Sequence, residues 1–144
     1  MSRAPAPRRQ DFPYVTTIQT RWSDNDMFGH INNVEYYRFF EMVVVDFLRG
    51  PCAMDIMTGP VMTFAAESRC SFRRPLSWPE PVSGGLRIEH VGNSSVRYGI
   101  ALFGETSEEA AADGHWTHVF VERATQRPTP IPAFIRDAFL RHQG

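Results

Sequence analysis

One apolar stripe constrains this chain more than any other feature. Tyr36, Phe40, Val43, Val44, Phe47 and Leu48 recur at intervals of three and four residues, interrupted by Glu35, Arg38, Glu41 and Asp46. That spacing predicts a helix with one broad face for burial. Asn32 or Asn33 stands where the first turn needs a cap, and with Asn32 as the cap Glu35 falls at the third helical position, as in a capping box. Gly50-Pro51 ends the helix.

Most of the remaining chain alternates with period two and so reads as strands. Tyr14 to Trp22 is a half-buried strand, with Tyr14, Thr16, Ile18, Thr20 and Trp22 on one face and Val15, Thr17, Gln19 and Arg21 on the other. In Val61 to Arg73, Met62, Phe64, Ala66, Ser68, Cys70 and Phe72 share one face, and Pro75 ends the strand or makes it an edge. Val82 to Val91 and Ser95 to Phe103 flank the turn Gly92-Asn93-Ser94. His115 to Arg123 is apolar on both faces, which places it inside a sheet or against another subunit. Pro51 to Pro60 is irregular and covers one end, Gly104 to Gly114 is the exposed tip of a long hairpin, and Pro132 to His142 is a short helix with Phe134, Ile135, Ala138 and Phe139 inward. Strands joined mainly by turns around one long helix give an α+β fold with an antiparallel sheet of about five strands.

The chain of 144 residues is read as one domain, residues 14–144, preceded by a flexible tail, residues 1–13. Its formal charge of -1 and the lack of a basic face interleaved with aromatics argue against nucleic acid as a partner. No apolar run approaches a membrane span and the first residues lack the apolar segment of a secretory signal, so a cytoplasmic location is expected. Cys52 and Cys70 are read as reduced and structural. All 15 basic residues are arginine, which excludes Schiff-base chemistry by lysine and leaves arginine to meet phosphate.

The chemistry concentrates in the loop before the helix. Asp24 and Asp26 precede a helix start whose free amides and dipole favour developing negative charge. A carboxylate beside an oxyanion site is the minimum equipment for acyl transfer to water. The same residues also serve as ordinary turn and cap formers. His115 and His118 point to opposite faces of a strand, and no metal-ligand spacing, nucleophile-elbow motif or phosphate-cradling glycine loop occurs. Neither a metal nor a cofactor is expected.

From Asp24 to Tyr36 the sequence runs Asp-x-Asp-x-x-Gly-His-Ile-Asn-Asn-x-x-Tyr, with Glu41 five residues on. This closely resembles the signature of the 4-hydroxybenzoyl-CoA thioesterase-like family of hotdog-fold acyl-CoA thioesterases. The resemblance implies a sheet wrapped around the central helix, subunits paired as a homodimer or homotetramer, and hydrolysis of an acyl-CoA to free acid and CoA. It also implies that Asp26 is the catalytic carboxylate, as general base or nucleophile, and that the backbone amide of Asn33 polarises the thioester carbonyl. His30 is a candidate assistant, Asp24 a loop organiser and Glu41 a minor candidate behind the site.

For the CoA phosphates the candidates are Arg73 and Arg74 at a strand end, with Ser94, Ser95 and Arg97 around the hairpin turn. That turn is basic in some family members and is Gly92-Asn93-Ser94-Ser95 here. Two rival readings stay open: a hotdog hydratase or dehydratase using His30 with an acid, and a non-catalytic acyl-CoA binding module.

Overall fold

The apolar stripe forms α1, Asn33–Arg49, and buries Tyr36, Phe39, Phe40, Val43, Val44, Phe47 and Leu48. In the computed structural model, which describes residues 4–144, five antiparallel strands curl around this helix. They are β1 (Tyr14–Ile18), β2 (Val61–Phe72), β3 (Val82–Val91), β4 (Ser95–Phe103) and β5 (Ala112–Glu122), in the spatial order β1-β3-β4-β5-β2. This is the hotdog architecture. The terminal helix α2 (Ala133–Leu140) closes the C-terminal end of α1, with Phe139 stacked on Phe47 at 6.2 Å between ring centroids.

Helix and sheet meet closely at Gly84 of β3. A Cβ there would stand 2.3 Å from Cγ2 of Val43, inside van der Waals contact, so the absence of a side chain lets α1 approach the strand. Each large apolar side chain that α1 buries contributes roughly 1.5–3 kcal/mol before ordering costs, which makes the helix–sheet interface the main source of stability. Two-faced β5 lies inside the sheet, between β4 and β2.

Several expectations need correction. Asn32 does cap α1, its Oδ1 accepting from the Val34 N–H at 2.9 Å, but Glu35 does not complete a capping box. Its carboxylate accepts from Arg38 Nε at 2.5 Å instead, because a charged partner one turn along outcompetes a backbone amide. β1 stops at Ile18, and Trp22 begins a short 3₁₀ turn in which it is 74% exposed. In β2 a bulge between Ala65 and Glu67 resets the register against β5. The extra residue reverses which side chains face the core, so Phe64 lies on the opposite face from Cys70 and Phe72 and is largely exposed.

The β4–β5 connection is not wholly an exposed tip, since Gly104, Ala110 and Ala111 are buried. Phe134 on α2 points outward while Ile135, Ala138 and Phe139 face inward. The tail expectation, residues 1–13, divides in two. Residues 1–3 lie outside the described residues, whereas residues 4–12 form a strap: Arg73 Nη1 donates to Ala4 O, Ala110 N–H donates to Pro7 O, Arg9 N–H donates to Glu108 O, and Phe12 is buried edge-on against Phe103. Among the described residues, no helix is long and apolar enough to cross a membrane.

Candidate active site

The loop between β1 and α1 owes its shape to Asp24. This residue is 1% exposed; its Oδ2 accepts the Arg21 N–H at 2.8 Å, and its Oδ1 takes Arg21 Nε at 3.0 Å, Arg21 Nη2 at 2.8 Å and Arg38 Nη2 at 2.8 Å. Glu35 joins the two arginines from the helix side. Burial opposes ionisation of Asp24, but the Arg21 hydrogen bonds and the two guanidinium charges outweigh it and hold its pKa below the ordinary carboxylate value. With Asn32 N–H donating to Asp24 O at 2.9 Å, the acid ties the loop to the helix start.

Asp26 sits at the turn that follows. Its Oδ1 accepts the Phe28 N–H at 2.9 Å, an Asx turn, while its own N–H donates to His30 O at 2.8 Å. Gly29 closes the turn at φ +80°, a left-handed conformation that glycine adopts without steric cost. A second segment pins the loop from outside: Ile31 N–H donates to Leu76 O, Ser77 Oγ donates to Gly29 O, and Asn25 exchanges two hydrogen bonds with the Trp78 backbone. The Asp26 carboxylate is thus held by one backbone amide on a loop whose own main chain is pinned from both sides.

These elements enclose an open cleft of about 420 Å³. Asp26, His30 and Asn33 line it from the loop and helix start, Arg73 and Arg74 from the segment just after β2, and Phe28, Ile31, Tyr36, Phe72 and Pro75 supply apolar wall. Asn33 is the first residue of α1, and among the described residues no acceptor engages its N–H, as expected for a first-turn amide. The His30 imidazole is exposed and makes no side-chain hydrogen bond among the described residues. Tyr36 is buried at the base of the cleft, where its hydroxyl accepts the Leu76 N–H at 3.2 Å; burial holds the phenol protonated by raising its pKa.

The chain that builds this cleft, with a backbone-held carboxylate beside a helix start, is similar to known proteins. Residues 20–139 match the model of the thioesterase-like superfamily. The chain belongs to that superfamily. Among solved structures, the PA5185 protein of Pseudomonas aeruginosa strain PAO1 is similar at 43% identity and a TM-score of 0.94, over 97% of this chain and 98% of that one. A thioesterase from Thermus thermophilus, complexed with coenzyme A and Zn, is similar at 26% identity and a TM-score of 0.77, over 92% of this chain and 96% of that one. YsmA of Bacillus subtilis (strain 168) is 28% identical over 90 residues, 61% of this chain, and the match spans only 59% of that relative's length.

The candidate site residues read from the sequence divide spatially. Asp26, His30, Asn33, Arg73 and Arg74 come together around one cleft. Ser94, Ser95 and Arg97 do not join them in the same chain. Ser95 pairs with Val119 and Leu102 with Ala112, which is also opposite Phe72, so the hairpin turn lies 102 − 95 = 7 residues along β4 from the cleft. At about 3.3 Å per residue that is roughly 23 Å. Arg97 instead meets His115 at 2.7 Å and Glu89 at 3.3 Å on the outer face of the sheet.

Glu41 is exposed two turns along α1. Among the described residues no His, Cys, Asp and Glu group could hold a metal ion. Sequence reasoning missed Arg38 as a clamp on Asp24, although its three-residue spacing from Glu35 was a visible pairing signal. It also missed Phe28 and Phe72 as cleft walls, for which no local signal exists.

Proposed function

We propose that this protein is an acyl-CoA thioesterase in which Asp26 drives attack on the thioester carbonyl and the first amide of α1, that of Asn33, receives the developing oxyanion. The observation that carries the reading is the placement of the Asp26 carboxylate and the unengaged Asn33 N–H on one cleft. Oδ1 of Asp26 is held by the Phe28 amide, which leaves Oδ2 available to act as base toward water or as nucleophile. The Asn33 amide belongs to a rigid, capped helix end, so it is oriented before substrate arrives and needs no rearrangement as charge develops. His30, exposed on the same rim, is placed to exchange protons with the departing thiol. The arginines at the end of β2, of which Arg74 has no carboxylate partner among the described residues, give the cleft positive charge suited to phosphate.

The test is turnover of a panel of acyl-CoA thioesters, followed by thiol release and by enoyl absorbance. Thiol release that depends on Asp26 supports hydrolysis. A change in enoyl absorbance without thiol release would instead establish a hydratase, and binding without either would leave a binding module.

A further inference from the structure

Arg73 and Arg74 are neighbours in sequence but not in circumstance. Arg73 Nε donates to Asp113 Oδ1 at 2.5 Å, its Nη1 donates to Ala4 O at 2.8 Å, and its side chain is 15% exposed. Its charge is matched by a carboxylate and its geometry is committed to holding β5 and the N-terminal strap. Arg74 is exposed, gives one N–H to Glu109 O at 2.6 Å, and has no carboxylate within ion-pair distance among the described residues. The remaining donors of its guanidinium fork stay open to an anion.

Arg74 is also where the Asp26 cleft continues. A groove of about 300 Å³, lined by Ala6, Arg73, Arg74, Glu109 and Ala110, shares both arginines with it. The acid in this groove, Glu109, is already faced by Arg8 at 3.6 Å. On the other flank of Arg74 a smaller hollow of about 170 Å³ is bordered by Glu80 and contributes no second cation. With Arg73 matched by Asp113 and Glu109 matched by Arg8, the unmatched charge in the first groove is that of Arg74, which makes it the better path for a polyanion.

We propose that Arg74 rather than Arg73 receives the phosphates of CoA, and that the nucleotide end of CoA lies in the groove between Ala6 of the N-terminal strap and Glu109–Ala110. The proposal rests on the acyl-CoA reading of the cleft and gives the long arm of that substrate a direction. It leads away from Ser94, Ser95 and Arg97. The strap thereby becomes part of the binding surface.

Calorimetric titration of CoA and of pantetheine into the full chain tests this without needing turnover. Arg74→Ala and Ala6→Asp, changes on separate elements, should each weaken CoA about tenfold while leaving pantetheine unaffected, because only CoA presents phosphates. Arg74→Lys should restore part of the loss, since a point charge replaces the fork. Arg73→Ala should lower the melting temperature and weaken both ligands alike. Equal weakening of CoA and pantetheine by Arg74→Ala, or unchanged CoA affinity in Ala6→Asp, would overturn the assignment. Intact CoA binding with no thiol release from any thioester would condemn hydrolysis and leave this binding route standing.

Discussion

At the scale of single residues, the two acids of the loop have opposite surroundings and so opposite expected phenotypes. Asp26 is partly exposed and held by one backbone amide. Asp26→Asn preserves size and most hydrogen bonding but removes the basic or nucleophilic oxygen, so kcat should fall by roughly 10²–10⁴ with the melting temperature unchanged. Near-normal thiol release by a folded Asp26→Asn enzyme would remove it from the mechanism. Asp24 is buried between two guanidinium groups, so Asp24→Asn should act mainly on stability, leaving Arg21 and Arg38 with only the half-buried Glu35 as a shared anion. Its folded pKa is depressed, so the stability it contributes is present above the ordinary carboxylate pKa of about 3.9 and is lost as pH falls through the lower folded value. Acid melts of the two proteins should therefore converge at low pH and diverge above it. Parallel melts would show that Asp24 contributes nothing through its charge.

Among the elements, legibility followed periodicity. α1 was readable because an unbroken period of 3.6 carries one buried face from end to end, and β3 and β4 because period-two alternation holds over part of each, up to the irregularity between Ile88 and His90 in β3 and up to Tyr98 in β4, beyond which both faces of β4 are buried. β2 was misread in its first half, since one bulged residue at Ala65/Glu67 reverses the faces and nothing in the composition marks it. The strap was misread for a related reason: Phe12 among prolines and arginines has no period, and only the pocket formed by Ala101, Phe103 and Ala110 explains its burial. In the site, the signature located Asp26, His30 and Asn33, but the separation of Ser94, Ser95 and Arg97 from them depends on strand register, which is a property of the whole sheet. β5 supplies a prediction of its own. His118 is buried against Tyr98, with 3.1 Å between Nδ1 and the hydroxyl, and burial pushes its pKa down to about 4. An unfolded histidine binds its proton near pH 6.5, so stability should decline as pH falls from about 6.5 to about 4 and change no further below that through this group. His118→Gln should flatten that part of a stability-against-pH profile, and an unaltered profile would exclude His118 as the cause.

For the molecule as a whole, the sheet has two open edges of unequal consequence. β1 is 5 residues long, whereas β2 presents 12 residues hydrogen-bonded only to β5. A strand edge of that length is a template for another chain, and its bulge and charges at Glu67 and Arg69 bend and blunt it only in the middle. Apolar side chains accompany the edge. Phe64 is 44% exposed on β2, and on α1 Val34 is 72% and Tyr37 37% exposed, with Tyr37 standing 6.5 Å from Phe72 near the end of the same strand. Antiparallel pairing about the middle of β2 would lay the N-terminal half of one strand alongside the C-terminal half of the other, bringing Phe64 of each copy toward the Tyr37 surface of its mate. The protein is therefore expected to be a homodimer, or a dimer of dimers, at micromolar concentration. Phe64→Glu combined with Tyr37→Glu should shift it toward monomer, because each buried apolar contact becomes an uncompensated charge at the interface, while the core around α1, which neither side chain enters, should keep its melting transition. Light scattering on the two proteins reads the outcome directly: a stable and active monomer in the unmodified chain would show that the β2 edge is protected by its own bulge and charges and needs no second copy.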